Sequence, residues 1–156
     1  MNKQNREQLN KAVEILKGLH FNVENIMVTG SIALDLQGLC PYGRFAHDVD
    51  IIIKMDDQTW KCMKLIEAIN NADQEDKINN LLKEEYTMAR DKMIILNTDD
   101  LVLNIWRYNS EWSDLKDDKT GVYVANVEHI INAKKSYARP KDFYDINSIC
   151  TKILQS

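Results

Sequence analysis

The chain has 156 residues, 44% of them apolar, and a formal net charge of −4. Those values fit one domain over residues 1–156 with a single core and argue against disorder. No apolar run approaches the ~20 residues of a membrane span, and an acidic balance disfavours duplex DNA as main ligand, because phosphate-dominated binding needs a basic face. Cys40, Cys62 and Cys150 are odd in number and widely spaced, so they predict neither a zinc site nor a disulfide frame. The first seven residues lack the apolar stretch of a secretion signal, and a cytoplasmic location is expected.

In chain order, Leu9, Ala12, Val13, Leu16 and Leu19 recur at three-and-four spacing and predict an amphipathic helix from about Arg6 to Leu19. A polar turn at residues 22–25 leads into a strand, Ile26 to Thr29. Ser31 to Leu36 predicts a short helix stopped near Gly38, and the run from Cys40 to Phe45 is turn chemistry around Pro41 and Gly43. Asp48 to Lys54 predicts a second strand, apolar enough to be buried on both faces. Trp60, Met63, Leu65, Ile66 and Ile69 predict a helix, with Ile78, Leu81 and Leu82 on another after a break at residues 70–73. Met93–Leu96 and Leu101–Trp106 flank Asn97-Thr98-Asp99-Asp100, a hairpin. A charged loop from Trp112 to Lys119 precedes a short strand within Gly121–Ala125. Helices over Val127–Tyr137 and Pro140–Leu154 close the chain, Pro140 being suited to a first helical turn. Helices and strands so interleaved predict an α/β (α+β) class, a small mixed sheet flanked by helices.

Two segments carry chemistry. In a strand, alternate side chains share a face, so Asp48 and Asp50 point the same way while Val49 packs behind them. Paired carboxylates repel unless a cation joins them. Mg²⁺ suits such a pair, taking one or two protein carboxylates together with substrate phosphates. Upstream, Gly30-Ser31 turns a strand into a helix, where backbone N–H groups suit phosphate. His20, His47 and His129 show no metal-ligand spacing, although His47 directly precedes Asp48. Trp60 and Trp106 read as core residues. Trp112, in its charged loop, is less easily placed.

Val28-Thr29-Gly30-Ser31 followed by Asp48-Val49-Asp50 resembles the signature of the nucleotidyltransferase superfamily (DNA polymerase beta-like): a hydrophobic residue, Gly, Gly or Ser, a loop, then Asp-x-Asp/Glu on a strand. The resemblance implies the nucleotidyltransferase fold and transfer of NMP from a nucleoside triphosphate, such as ATP, to an acceptor hydroxyl. Asp48 and Asp50 would be catalytic and hold Mg²⁺, and Gly30 and Ser31 would bind the β- and γ-phosphates. The acceptor is left open: a small molecule, a tRNA end or a protein side chain. Lys134-Lys135-Ser136-Tyr137-Ala138-Arg139-Pro140-Lys141-Asp142, continuing to Asp145, resembles the C-terminal motif of bacterial nucleotidyltransferase-like proteins of the AbiEii toxin type. That likeness implies Lys134 on the triphosphate and Asp142 in support of the nucleotide site.

One position departs from the family pattern. A third carboxylate, on a neighbouring strand within a hydrophobic–Asp–hydrophobic triplet, there helps bind metal and can act as general base. The corresponding triplet here is Leu103-Asn104-Ile105. An amide has neither charge nor useful basicity. Asp100 shares strand parity with Asn104, but four residues of strand span ~13 Å, too far to substitute. The competing expectation is therefore an interaction protein, a nucleotidyltransferase-fold partner in a toxin–antitoxin pair that turns over weakly or not at all.

Overall fold

The computed structural model describes residues 2–39, 46, 48–71, 93–98, 100–108 and 111–155. The turn expected at Cys40–Phe45, His47, the helix expected around Ile78, Leu81 and Leu82, and Asp99 of the hairpin turn lie outside the described residues.

Helix α1 spans Lys3–Gly18, beginning earlier than the apolar spacing implied. The reason is a cap: the Asn2 side chain accepts from the backbone N–H groups of Gln4 and Asn5 at 2.8 and 3.2 Å, satisfying donors that a helix start leaves free. Strand β1 (Ile26–Thr29) runs into helix α2 (Gly30–Leu36), and strand β2 (Val49–Ile53) leads to helix α3 (Asp57–Asn71). Strands β3 (Met93–Asn97) and β4 (Val102–Arg107) form the expected hairpin, closed by Thr98 N–H on the Leu101 carbonyl at 2.8 Å. The two-residue strand β5 (Tyr123–Val124) precedes helices α4 (Val127–Tyr137) and α5 (Pro140–Gln155).

The sheet is mixed, in the order β3-β4-β2-β1-β5. Within the antiparallel β1–β2 pair Thr29 faces Asp50, and in the parallel β2–β4 pair Asp50 faces Asn104. Because paired residues share a face, this register divides the side chains cleanly. One set, which includes Val28, Val49, Ile51, Leu103 and Ile105, is fully buried and forms the core with Leu9, Leu16 and Ile32 of α1 and α2. Burying each such side chain stabilises the fold by about 1.5–3 kcal/mol. The opposite set holds Met27 and Ile52, both buried, and then Thr29, Asp50, Asn104, Trp106 and Ile95, all only half-buried. Asp50 and Asn104 therefore lie on the more open face of the sheet.

In α3, Trp60 and Met63 are buried as expected, whereas Leu65 and Ile69 are about half exposed. Glu67, on the buried side of that helix, accepts from Ile95 N–H at 2.5 Å and so ties α3 to strand β3. No helix among the described residues is long and apolar enough to cross a membrane.

Candidate functional site

Asp48 immediately precedes β2, and Asp50 is its second residue. Both are half-buried, and Val49 between them is fully buried, the alternation expected of a strand that packs one face. Their carboxylates converge on one point. The Asn104 side-chain amide donates to Asp48 Oδ2 at 2.6 Å and to Asp50 Oδ1 at 3.0 Å. The third-strand residue identified from its hydrophobic triplet thus stands directly beside the aspartate pair, in register with Asp50. It bridges the pair as a hydrogen-bond donor, since its NH₂ group faces the two acceptors.

The electrostatics of Asp50 follow from this crowding. Burial pushes its carboxyl up from the ordinary 3.8 to about 6. The Asn104 hydrogen bond opposes the rise, the Asp48 charge adds to it, and the charges of Lys134 and Lys141 partly offset it. Those two lysines come from the C-terminal helices, so the second block singled out in the sequence bears on the same carboxylate as the first.

Gly30 has a role other than the backbone turn expected of it. Its φ is +66°, and a Cβ added there would overlap Asp50 Oδ2 and lie 3.1 Å from Asp50 Cγ. The absent side chain is what gives the Asp50 carboxylate room against the start of α2, and positive φ further favours glycine. Ser31 follows in the first turn of α2, half-buried.

Upstream of the aspartates, a buried amide anchors the approach to β2. Asn5, on the apolar face of α1, accepts from Ala46 N–H at 2.8 Å and donates to Asp35 Oδ2 of α2 at 2.8 Å. Asp35 Oδ2 also accepts from Asn2 N–H at 2.9 Å. The chain two residues before Asp48 is thereby fastened to both helices. Sequence reasoning overlooked Asn5, although a polar residue four positions before Leu9 on an apolar stripe was a visible signal.

The α4–α5 corner is built from charges. Ala138 adopts φ 52° and donates its N–H to the Lys134 carbonyl, ending α4. Pro140 opens α5, as expected. Asp142 is fully buried and accepts from Arg139 N–H at 3.1 Å, from Arg139 Nε at 2.7 Å and from Arg139 Nη2 at 3.1 Å. The Arg139 hydrogen bonds, against the opposing effect of burial, hold the Asp142 carboxyl below its ordinary range. Lys134 Nζ lies 3.0 Å from Asp145 Oδ2 and 4.0 Å from Asp142 Oδ1. Asp142, Asp145 and Ile149 form the buried stripe of α5, so these acids are an interior network and not a solvated junction.

Two carboxylate oxygens meeting at one point are a hard-oxygen donor set of the kind Mg²⁺ accepts, with water and phosphate oxygens completing the shell. Rotating the Asn104 amide about its terminal bond would present its oxygen to the same point. Among the described residues no group of three or more His, Cys, Asp or Glu side chains is placed to hold a metal, so the remaining ligands would come from solvent and substrate.

A cavity of about 270 Å³ opens on the same side of the sheet, lined by residues of the loop before β5, of the β5–α4 junction and of α4, together with Met27. Trp112, on its wall, is held edge-on by Tyr108 and Tyr123 at ring-centroid distances of 5.6 and 5.5 Å, with Lys54 Nζ 4.3 Å above its ring. Compared with family models, with curated proteins and with solved structures, the chain matches none.

Proposed function

We propose that this protein is a metal-dependent nucleotidyltransferase, moving NMP from a nucleoside triphosphate to an acceptor hydroxyl. The observation that carries the reading is the convergence of Asp48 and Asp50 on one point of the open sheet face, with Asn104 in register beside them. Mg²⁺ held there would neutralise charge building on the transferred phosphoryl group. Asp48 and Asp50 would hold the ion in place. Lys134 and Lys141, whose fields already reach Asp50, favour the triphosphate on this side of the site. Asp142 fixes Arg139 and so sets the angle of the corner that carries Lys141. Gly30 leaves room for Asp50, and Ser31 stands at the adjoining turn for phosphate.

Calorimetric titration with ATP and Mg²⁺ tests this reading. Wild type is expected to bind, and Asp48→Asn to bind more weakly without unfolding. Equal affinities would refute it. Incubation with each labelled nucleoside triphosphate, Mg²⁺ and a cell extract would then reveal the acceptor as the labelled species.

A second reading rests on Asn104 itself. An amide in place of the third carboxylate, already satisfying both aspartates, also suits a nucleotidyltransferase-fold interaction protein, such as a toxin–antitoxin partner that binds nucleotide without turnover. Nucleotide binding with no labelled acceptor would favour it.

A further inference from the structure

Helix α5 buries only one of its sides. Asp142, Asp145 and Ile149 face the interior, while Phe143, Asn147, Cys150 and Leu154 are all exposed. Their spacing of four, three and four is that of a helix-pairing seam, a straight stripe along a helix of 16 residues, about 24 Å long. Tyr144 and Ile153, both exposed, flank the stripe on its two sides. No exposed residue from Phe143 to Leu154 is charged. The outer side of α1 is the opposite case: Lys3, Glu7, Lys11, Glu14 and Lys17 are all exposed there, as expected of a solvated helix in a chain with 28% charged residues.

The stripe is also large. Phe143, Tyr144 and Leu154 are 55, 60 and 85% exposed, and Ile153 43%. At about 200 Å² for each whole side chain, these four present roughly 500 Å², and Asn147, Cys150 and Thr151 extend the patch to roughly 600 Å². That is the upper end for an apolar patch on a monomer. Two such patches face to face bury up to about 1,200 Å², the lower limit of a specific, stable interface.

We propose that this face of α5 is a homodimer interface and that its occupant is α5 of a second copy of the chain. The stripe fits itself. In an antiparallel contact about a two-fold axis at its midpoint, Phe143 meets Leu154 of the second copy and Asn147 meets Cys150, because the spacing reads the same in both directions. The two small central residues allow the helices to approach to about 8–10 Å, and the bulky residues close the ends. The uncharged face neither repels its own copy nor selects a partner of opposite sign. A contact near the lower size limit leaves little surplus binding energy, so dissociation is expected at about 1–100 µM. Pairing would also brace the corner, because the inner side of the same helix holds Asp142 on Arg139 and Asp145 on Lys134.

Sedimentation equilibrium over about 1–500 µM chain is the test, and wild type is expected to pass from monomer to dimer across that range. Leu154→Glu and Phe143→Glu are each expected to weaken the dimer about tenfold or more, since each sets a carboxylate against an apolar residue of the other copy. Both side chains are exposed, so circular dichroism and melting of the dilute monomer should be unchanged, and Asn147→Lys serves as a further variant if either glutamate disturbs the helix. Leu65→Glu, on the half-exposed apolar side of α3, should dissociate as wild type does. With Cys40 and Cys62 both replaced by serine, a short bis-maleimide should join two copies through Cys150. A chain monomeric at the highest concentration would overturn the second copy as occupant and leave the face to a different protein. A dimer indifferent to Leu154→Glu, Phe143→Glu and Asn147→Lys, a dimer that Leu65→Glu dissociates, or a dimer that Cys150 does not crosslink would place the contact elsewhere and overturn the proposal.

Discussion

Replacing Asp50 by asparagine removes a charge from a place where the fold resists holding one. The ordinary carboxyl value of 3.8 is raised to about 6, chiefly by burial, then by the neighbouring Asp48. At ~1.36 kcal/mol for each tenfold change in proton affinity, ionising Asp50 costs the folded protein up to about 3 kcal/mol. Solvent at the half-buried carboxylate lowers the expected cost to about 1–2 kcal/mol. Because the folded-state value is raised, the cost is absent below pH 3.8, grows between there and about 6, and is complete above that. Asparagine is nearly isosteric and keeps an oxygen to accept from Asn104. Asp50→Asn is therefore expected to melt about 2–8 °C above wild type at pH 8 without metal, at ~2–4 °C per kcal/mol for a chain of this size. The gap should close as pH falls to about 4. Thermal melts across that range, with and without Mg²⁺, are the assay, and Mg²⁺ should raise the wild type more than the variant. A variant that melts lower than wild type at pH 8, or a gap independent of pH, would refute the electrostatic account.

Asn104→Asp replaces two donated hydrogen bonds by a third negative charge, so the metal-free variant should melt well below wild type and recover on adding Mg²⁺; a melting temperature indifferent to Mg²⁺ would count against a metal site. Gly30→Ala drives a methyl group into the Asp50 carboxylate at a φ that disfavours it, a loss of about 1–3 kcal/mol by chemical denaturation, and Asp50→Ala should relieve part of it in the double variant. Lys134→Ala strips the buried Asp145 of its ion pair and should cost about 3 kcal/mol of stability. At a temperature where it remains folded it should weaken ATP far more than AMP, with Lys135→Ala as the control; an equal loss for both nucleotides would indicate indirect damage.

Where local period decides structure, the residues declare it. The parity of Asp48 and Asp50 needed only the two-residue repeat of a strand, whereas Leu103-Asn104-Ile105 stood out through its likeness to the hydrophobic–Asp–hydrophobic triplet of the resembling family. The β3–β4 hairpin and the start of α5 at Pro140 were legible for similar reasons. Three features were not. The use of Gly30 depends on a carboxylate twenty residues onward, brought alongside only by strand pairing. The burial of Asp142 and Asp145 depends on the spacing 142, 145, 149 facing inward and on Lys134 across the corner, neither of which local sequence declares. Leu65 and Ile69 follow apolar helical spacing yet stay half exposed, because spacing reports amphipathicity and not which neighbours a helix meets.

The strand order β3-β4-β2-β1-β5 joins two antiparallel pairs, β1–β2 and β3–β4, through a single parallel contact between β2 and β4. Each antiparallel pair closes a shorter stretch of chain than the parallel contact does, and loop closure delays the more distant pairing. Asp50 and Asn104 face each other across that contact, so the aspartate cluster lies on the seam between the two antiparallel pairs. Amide exchange pulsed during refolding should protect the β3–β4 hairpin before the β2–β4 contact, so the cluster should acquire its geometry after the hairpin has formed. A cation or substrate bound there would act as a clasp, holding together two halves that local chain contacts alone do not join.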